Sequence, residues 1–230
     1  MNINKLIQFK LIYLIIKQKH LQDGLKEQDC INVMNICILL AAGTSSRFGS
    51  SKQLFILSSG KTILETCIET LVQVVDKVIV VTNEVFLNKN RKVIIVTNSI
   101  NCRLKSIEAG LHYIDTHYSL STRRVVIHDV ARPFITTEQV SKILHYKKVL
   151  VQYCLKLTNG LIYKGAQCVS RDDYMELCTP LCINYKVCRL LCKNGIPYEF
   201  ISGLTQEQYQ LIPSSYKYLR KITTIDDIYI

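Results

Sequence analysis

A loop of small and hydroxyl-bearing residues, closed by cationic side chains, is the segment of this 230-residue sequence whose composition best suits chemistry. It spans residues 40–53, LAAGTSSRFGSSKQ, after a continuous apolar run over residues 36–40. Small residues let a backbone approach a ligand closely, and the amide N–H groups of such a loop bind phosphate oxygens. Arg47 and Lys52 supply the positive charges that hold a triphosphate. Both common glycine spacings for phosphate binding are absent, so spacing alone leaves nucleotide binding and an ordinary strand-to-helix turn open.

A second polar segment, HDVARP, starts at His128 and follows the predicted strand over residues 124–127, RVVI. Asp129 therefore stands where a strand would end, and in a parallel sheet that edge also carries the glycine loop. A carboxylate at this edge is a candidate ligand for Mg²⁺. The alternative is a local salt bridge between Asp129 and Arg132 at a turn. We interpret His128 as a structural residue.

Apolar segments predict the elements that must position these side chains. Continuous apolar runs are typical of strands buried on both faces of a parallel sheet. Residues 36–40 form such a run, and three further strands are predicted where a cation precedes several apolar residues, at residues 77–82, 92–96 and 124–127. Apolar residues at helical spacing cover residues 63–74, and residues 106–113 also indicate a helix. Strands that alternate with helices predict an α/β fold with a doubly wound sheet.

Charge and composition limit the class of protein. Lys and Arg number 29 against 18 Asp and Glu, and the resulting formal charge of +11 indicates an anionic partner. Hydrophobic residues make up 48% of the chain, which excludes long disorder. No segment approaches the length of a membrane span. We therefore expect no membrane partner and a cytoplasmic location.

The beginning of the chain and its ten cysteines need separate interpretations. We predict that residues 1–34 form an extension, disordered or helical, before a single domain over residues 35–230. Two cysteine pairs have the four-residue spacing of one helix face; they are Cys178 with Cys182, and Cys188 with Cys192. A zinc cluster is one alternative. We interpret these cysteines as small apolar residues in a reducing compartment.

Together, the two polar segments resemble one enzyme superfamily. The pattern Leu-Ala-Ala-Gly-x-x-x-Arg-x-Gly, followed by Lys-Gln, resembles the signature loop of sugar-nucleotide and polyol-phosphate nucleotidyltransferases. HDVARP resembles the His-Asp-x-x-Arg-Pro segment of the cytidylyltransferases for methylerythritol phosphate and ribitol phosphate. The resemblance covers residues 36–230 and implies the Rossmann-like, doubly wound, mostly parallel sheet of the nucleotide-diphospho-sugar transferases. It also implies CTP and a polyol phosphate as substrates, Mg²⁺ as cofactor and a homodimer, without a nucleic-acid partner.

The resemblance assigns roles to residues of the glycine loop. In these enzymes the loop wraps the nucleotide triphosphate. Ala41, Ala42 and Gly43 would therefore bind CTP, and Arg47 and Lys52 would act in catalysis by stabilising the leaving pyrophosphate.

Two later segments extend the resemblance. Residues 101–111, NCRLKSIEAGL, resemble a helix start that contacts cytosine, so Asn101 and Ser106 would bind the base of CTP. An asparagine stands where the family carries aspartate, and its amide can still accept from the cytosine amino group. Residues 221–227, KITTIDD, resemble the ending whose lysine reaches the α-phosphate, which gives Lys221 a catalytic role.

The match is weaker around the second substrate. The resemblance implies that Asp129 holds Mg²⁺, that Arg132 lies on the acceptor side and that Arg171 contacts the acceptor phosphate. The family's Val-Arg-Asp-Thr falls on residues 151–154, VQYC, which keep only the valine, and the usual proline before the loop lysine is Ser51. These losses weaken the methylerythritol phosphate assignment more than the cytidylyltransferase one. Ribitol phosphate is therefore slightly favoured as acceptor.

Two other functions stay open at this point. Another nucleotidyltransferase, such as a molybdopterin cytidylyl or guanylyl enzyme, shares the loop but is not expected to carry HDVARP. An inactive relic or a basic nucleic-acid-binding module fits the charge, although no nucleic-acid-binding motif supports it. We predict a CTP-dependent cytidylyltransferase that transfers CMP to a polyol phosphate, ribitol 5-phosphate or 2-C-methyl-D-erythritol 4-phosphate, and releases pyrophosphate. With the second acceptor it would act in isoprenoid biosynthesis.

Overall fold

The computed structural model describes residues 33–158, 161–162, 168–195 and 199–229. Over this part of the chain the strands are β1 (Met34–Ala41), β2 (Lys77–Thr82), β3 (Val93–Thr97), β4 (Thr122–Asp129), β5 (Leu150–Lys156), β6 (Leu161–Ile162), β7 (Cys168–Val169), β8 (Met175–Asn184) and β9 (Tyr209–Pro213). The helices are α1 (Ile63–Val72), α2 (Arg103–His117), α3 (Thr137–His145), α4 (Tyr185–Lys193) and α5 (Tyr216–Leu219). Short 3₁₀ helices cover Lys52–Leu54, Arg171–Asp173, Phe200–Gly203 and Ile225–Ile228.

A seven-stranded sheet forms the centre of the fold, in the order β3-β2-β1-β4-β8-β5-β9. The strands from β3 to β4 are parallel to one another, and β9 is parallel to β5. Strand β8 is antiparallel to both of its neighbours, β4 and β5. Strands β6 and β7 pair separately as a short antiparallel ribbon. The predicted α/β class and the mostly parallel sheet are confirmed, with β8 as the antiparallel member.

Helices cover both faces of this sheet, as a doubly wound fold requires. Cys37 and Leu39 of β1 pack in the core that contains α1 and α3. Ile36 and Ile38 pack in the opposite core, with α2 and α4. All four side chains are fully buried. Since β1 has no solvent-facing side over this stretch, its sequence is a continuous apolar run rather than an alternating one.

The first half of the sheet follows the sequence pattern closely. The four predicted strands are β1 to β4, with bounds shifted by at most two residues. The helix predicted over residues 63–74 is α1, and the one predicted over residues 106–113 is the longer α2. The pattern did not predict β5, β8 and β9. The helical spacing assigned to Cys178 and Cys182 is wrong, because both lie on β8, where residues four apart also share a face.

The cysteines are buried free thiols in most cases. Of the eight whose side chains the structure describes, seven are buried, and none forms a disulfide. Burial raises the pKa of the Cys178 thiol to about 12 and that of Cys182 to about 11, so both stay protonated and pack as small apolar groups. Among the described residues, no three His, Cys, Asp or Glu side chains form a group that could hold a metal ion.

Two further expectations concern the extension before the domain and the absence of a membrane span. The predicted extension over residues 1–34 lies outside the described residues, except for positions 33 and 34, and Met34 already begins β1. In the part of the chain that the structure describes, every helix is too short or too polar to cross a membrane.

Helix α2 lies close to β1 because Gly110 has no side chain. A Cβ atom at Gly110 would come within 2.8 Å of Cγ2 and 2.9 Å of Cδ1 of Ile38, closer than carbon atoms pack in proteins. Ile38 is fully buried, so it has no space into which to move. The glycine therefore sets the distance between α2 and the sheet.

We expect Gly110→Ala to lower the free energy of unfolding by about 1–3 kcal/mol, because overpacking outweighs the gain in helix propensity. Urea unfolding followed by circular dichroism measures the change. In the double variant Ile38→Ala/Gly110→Ala the clash is absent, so its destabilisation should be smaller than the sum of the two single effects. Strictly additive effects would contradict this account of the contact.

Candidate active site

A cavity of about 420 Å³ opens at the carboxyl edge of β1 and β4. The loop after β1, the first turn of α2, the end of β4, parts of β5 and β8 and the C-terminal segment line it. In open α/β sheets, this edge is where loops leave room for ligands. Nine of the eleven predicted site residues line the cavity: Ala42, Gly43, Arg47, Lys52, Asn101, Ser106, Asp129, Arg132 and Lys221.

Two predicted site residues lie elsewhere. Ala41 is 1% exposed and packs in the core beneath the loop, because it is the last residue of β1 and its side chain faces α1. Arg171 is exposed in a 3₁₀ helix, where its Nη1 donates to the carbonyl oxygen of Thr158 at 2.8 Å. The structure therefore does not bring Arg171 to the cavity of this chain.

The glycine loop turns sharply at Ser45. Its φ angle of 52° lies in the left-handed region that favours glycine. The Ser45 carbonyl accepts from the N–H groups of Phe48 and Gly49, at 2.8 and 3.2 Å. Its hydroxyl group accepts from the backbone N–H of Lys52 at 3.3 Å. These hydrogen bonds hold the loop in the turn that presents Lys52 to the cavity.

Lys52 lies in a cluster of positive charge. Burial lowers its pKa, and the charges of Lys221 and Arg47 lower it further. Its ammonium group donates to the carbonyl oxygen of Ile222 at 2.8 Å. Cations that repel one another in a partly closed cavity are stabilised by a bound anion, so this end of the cavity suits a polyphosphate.

The C-terminal segment, residues 219–228, brings Lys221 to this cluster. Ile222 is fully buried, and its N–H donates to the carbonyl oxygen of Ala131 at 2.8 Å. Asp227 accepts from the N–H groups of Thr223 and Thr224, at 2.7 and 2.8 Å, and so closes the turn that follows. The side chain of Lys221 is placed by these backbone contacts on either side of it.

Asp129 ends β4 between the loop and the second half of the cavity. Its backbone N–H donates to Oγ1 of Thr179 at 3.1 Å, and its Oδ1 lies 3.7 Å from Nε of Arg103. Burial opposes ionisation, but the charges of Arg103 and Lys221 outweigh it and hold the pKa of Asp129 below its usual value. The cavity thus contains an ionised carboxylate at its centre.

His128 is fully buried next to this carboxylate but does not line the cavity. Its Nε2 lies 3.0 Å from the carbonyl oxygen of Arg132. Burial lowers its pKa to about 4, so the ring is neutral near pH 7. A neutral, enclosed imidazole holds the turn after β4 in place, which agrees with the structural role inferred from the sequence.

Asn101, just before α2, and Ser106, within it, line the cavity next to the glycine loop. Nδ2 of Asn101 donates to Oγ1 of Thr44 at 3.3 Å and so connects this side of the cavity to the glycine loop. The Ser106 hydroxyl group donates to the carbonyl oxygen of Cys102 at 3.2 Å and accepts from Nδ2 of Asn98 at 3.0 Å. Hydrogen bonds within the protein thus orient both residues predicted to contact the base.

Some functional side chains of the cavity were not predicted from the sequence. Arg103 and Thr179 flank Asp129, and Gln152 and Glu199 line the part of the cavity next to β5 and β8. Arg103 lies inside the NCRLKSIEAGL segment, which is the signal that could have found it. Gln152 is the first residue of VQYC that departs from the family pattern, so the departure itself marked the position.

A glycine loop, a cation cluster and a central carboxylate at the carboxyl edge of a doubly wound sheet define a nucleotidyltransferase. Residues 37–152, half of the chain, match the model of the MobA-like NTP transferase domain. The chain belongs to this family. The predicted enzyme class is thereby confirmed.

Curated relatives and solved structures show what the chain is similar to. The 2-C-methyl-D-erythritol 4-phosphate cytidylyltransferase of Clostridium acetobutylicum is 29% identical over 226 residues, which cover 85% of this chain and 95% of that protein. The enzyme of the same name from Thermotoga neapolitana is 25% identical over 167 residues, 66% of this chain and 73% of that protein. The 4-diphosphocytidyl-2C-methyl-D-erythritol synthase structure from Anaerococcus prevotii has a TM-score of 0.69 at 20% identity, with 86% and 94% of the chains covered, and shows the shared fold.

The cation cluster predicts a linked titration. The pKa of Lys52 is lowered from 10.5, so its ammonium group loses its charge at a lower pH than that of an ordinary lysine. As the pH is raised, tripolyphosphate binding should therefore begin to weaken at a correspondingly lower pH. Lys221→Met removes a neighbouring positive charge and should raise the pKa of Lys52. NMR titration of ¹⁵N-labelled lysine side chains measures this value, with Lys147→Met, at an exposed position, as control. An unchanged pKa in Lys221→Met would show that the two ammonium groups do not interact.

Proposed function

We propose that this nucleotidyltransferase is a cytidylyltransferase, which transfers CMP from CTP to a polyol phosphate and releases pyrophosphate. The observation that carries the proposal is the convergence of Arg47, Lys52 and Lys221 on one end of the cavity that also contains Asp129. The two curated relatives, both named as cytidylyltransferases of a polyol phosphate, support it.

The proposed reaction needs fixed positive charges rather than a strong base. An acceptor phosphate oxygen bonds to the α-phosphorus of CTP, and the bond from that phosphorus to the bridging oxygen breaks. Pyrophosphate departs with the electron pair. No proton has to be removed, because the attacking phosphate is already ionised near pH 7. Negative charge grows on the α-phosphate and on the leaving group, and preorganised cations stabilise it there.

Different residues of the cavity would bind the triphosphate, the α-phosphate and the base. Arg47 and Lys52 would bind the β- and γ-phosphates, and Lys221 would stabilise the α-phosphate. Asn101 and Ser106 would bind the cytosine base. These assignments follow from the resemblance and from the positions of the residues in the cavity. The homodimer and the cytoplasmic location implied by the resemblance stay predictions.

Asp129 fits a magnesium ion that is shared with the substrate. Mg²⁺ binds proteins through one or two carboxylates and takes its other ligands from substrate phosphates and water. Asp129 is ionised and faces the cavity, which matches this donor set. A bound Mg²⁺ would neutralise charge on the phosphates, and Asp129 would hold it at that place.

We expect Lys52→Ala and Asp129→Ala each to lower turnover by roughly 10²–10³, because each removes one preorganised charge from the transition state. Coupled pyrophosphate assays measure the rate, and circular dichroism checks that both variants fold. Lys147→Ala, which removes an exposed lysine outside the cavity, serves as the control. Near-normal turnover in both cavity variants would refute the assignment.

The acceptor can be identified with a panel of phosphates. Pyrophosphate release from CTP is measured with ribitol 5-phosphate, with 2-C-methyl-D-erythritol 4-phosphate and without acceptor. The named relatives favour methylerythritol phosphate, whereas the loss of the family's arginine and threonine at residues 151–154 favours ribitol phosphate. We expect release with one of the two. Release with neither, together with salt-sensitive RNA binding, would favour a basic nucleic-acid-binding module, and activity with a molybdopterin acceptor would favour the other nucleotidyltransferase type.

A further inference from the structure

The cavity has a second end, which the nucleotide roles leave unused. The strand order β1-β4-β8-β5 places β5 three strand spacings from the glycine loop, about 14 Å at roughly 4.8 Å per strand. Asp129, on β4, stands between the two ends. Gln152 of β5 lines the far end, together with Glu199, which directly precedes the 3₁₀ helix Phe200–Gly203. An acceptor that attacks from the side opposite the pyrophosphate would extend toward these two residues.

The side-chain amide of Gln152 uses its nitrogen in a hydrogen bond but not its oxygen, among the described residues. The residue is only 1% exposed, and its Nε2 donates to Oε2 of Glu199 at 3.4 Å. This bond fixes the amide orientation, because a carboxylate only accepts. Oε1 of Gln152 is then a buried acceptor without a hydrogen-bond partner among the described residues. Buried polar atoms in native proteins are nearly always paired, so an unpaired one beside a cavity indicates a ligand group that pairs with it.

The strand geometry explains how Gln152 reaches the cavity. Gln152 pairs with Leu181 of β8, whereas the next residue, Tyr153, pairs with Cys178. Thr179 and Pro180 are therefore extra residues on β8, and they interrupt its ladder with β5 beside Gln152. On β5 the alternation is regular: Val151 and Tyr153 pack in the core that contains α1 and α3, so the side chain of Gln152 lies on the other face of the sheet.

The charges at the far end exclude a second anionic group. Glu199 adds a negative charge there, and Gln152 is neutral where the resembling family carries arginine. The guanidinium group of Arg132 is already engaged, with one terminal nitrogen bonded to the carbonyl oxygen of Leu219 and the other 3.3 Å from Oε1 of Glu176. Hydroxyl groups, which donate to amide and carboxylate oxygens, suit this end better than phosphate or carboxylate.

We propose that Gln152 and Glu199 determine acceptor specificity by accepting hydrogen bonds from hydroxyl groups of the substrate. This inference rests on the proposed cytidylyl transfer and adds the two residues that would select the acceptor.

Two matched acceptors test the inference. Ribitol 5-phosphate and 5-phosphoribonate differ only at the far end, where the second compound carries a carboxylate in place of a hydroxymethyl group. We expect the wild-type chain to prefer the polyol phosphate by at least about tenfold in kcat/KM, as sites built for a hydroxyl group do. If methylerythritol phosphate is the better acceptor, the same comparison is made with its carboxylate analogue.

Three variants locate the effect. Glu199→Gln removes the negative charge and should reduce the preference by about tenfold, whereas Gln152→Met should raise the KM of the polyol phosphate by about tenfold. The KM of CTP should change less than about twofold in both, since neither contacts the nucleotide end. Glu207→Gln, an exposed carboxylate outside the cavity, is the matched control. Because Gln152 is buried, Glu199→Gln keeps the test valid even where Gln152→Met does not fold.

The outcomes separate this inference from the function on which it rests. Turnover of polyol phosphates by the wild type with unchanged discrimination in Glu199→Gln overturns the inference and leaves the cytidylyltransferase proposal intact. Equal losses of CTP and acceptor affinity would show a merely structural role and overturn it as well. If the wild-type chain has no activity on any polyol phosphate, the proposed function is overturned, and the inference with it.

Discussion

The backbone of Ile222 joins the three parts of the active site. Its N–H donates to Ala131, just after β4, and its carbonyl accepts from the ammonium group of Lys52, at the end of the glycine loop. Burial of the Ile222 side chain holds this connection in the core. Lys221, the neighbouring residue, can face the cavity only while these contacts exist. The cation cluster therefore depends on one buried residue near the end of the chain.

The positive charges of this cluster repel one another, and the rest of the fold holds them together against that repulsion. Lys221 and Arg47 repel Lys52, and burial adds to the cost of its charge. Asp129 offsets part of the repulsion, but it is itself paired with Arg103. The remaining excess of positive charge is what makes the cavity an anion site, because a bound polyphosphate relieves the repulsion. A site that were fully neutralised within the protein would bind phosphate weakly.

The chain keeps this nucleotide end while it changes residues around it. Ser45 adopts a positive φ angle, a conformation that favours glycine, and its hydroxyl group accepts a hydrogen bond from the backbone N–H of Lys52. Ser51, in place of the usual proline, donates to Glu84 after β2. At the far end, Gln152 stands where the resembling family carries arginine, and its amide donates to Glu199. The serines of the loop form hydrogen bonds of their own, whereas Gln152 keeps one amide oxygen without a partner among the described residues.

The sequence by itself determined the strands β1 to β4, the helices between them and the small-residue, cationic composition of the loop after β1. These features depend on local patterns: apolar runs buried on two faces, helical spacing, and small residues followed by cations. Only the tertiary structure decided that Ala41 packs in the core, that Arg171 lies outside the cavity, and that Gln152 and Glu199 meet. The meeting of Gln152 with Glu199 depends on the position of β5 next to β8 in the sheet. Contacts between residues far apart in the chain depend on strand order and register, which no local pattern encodes.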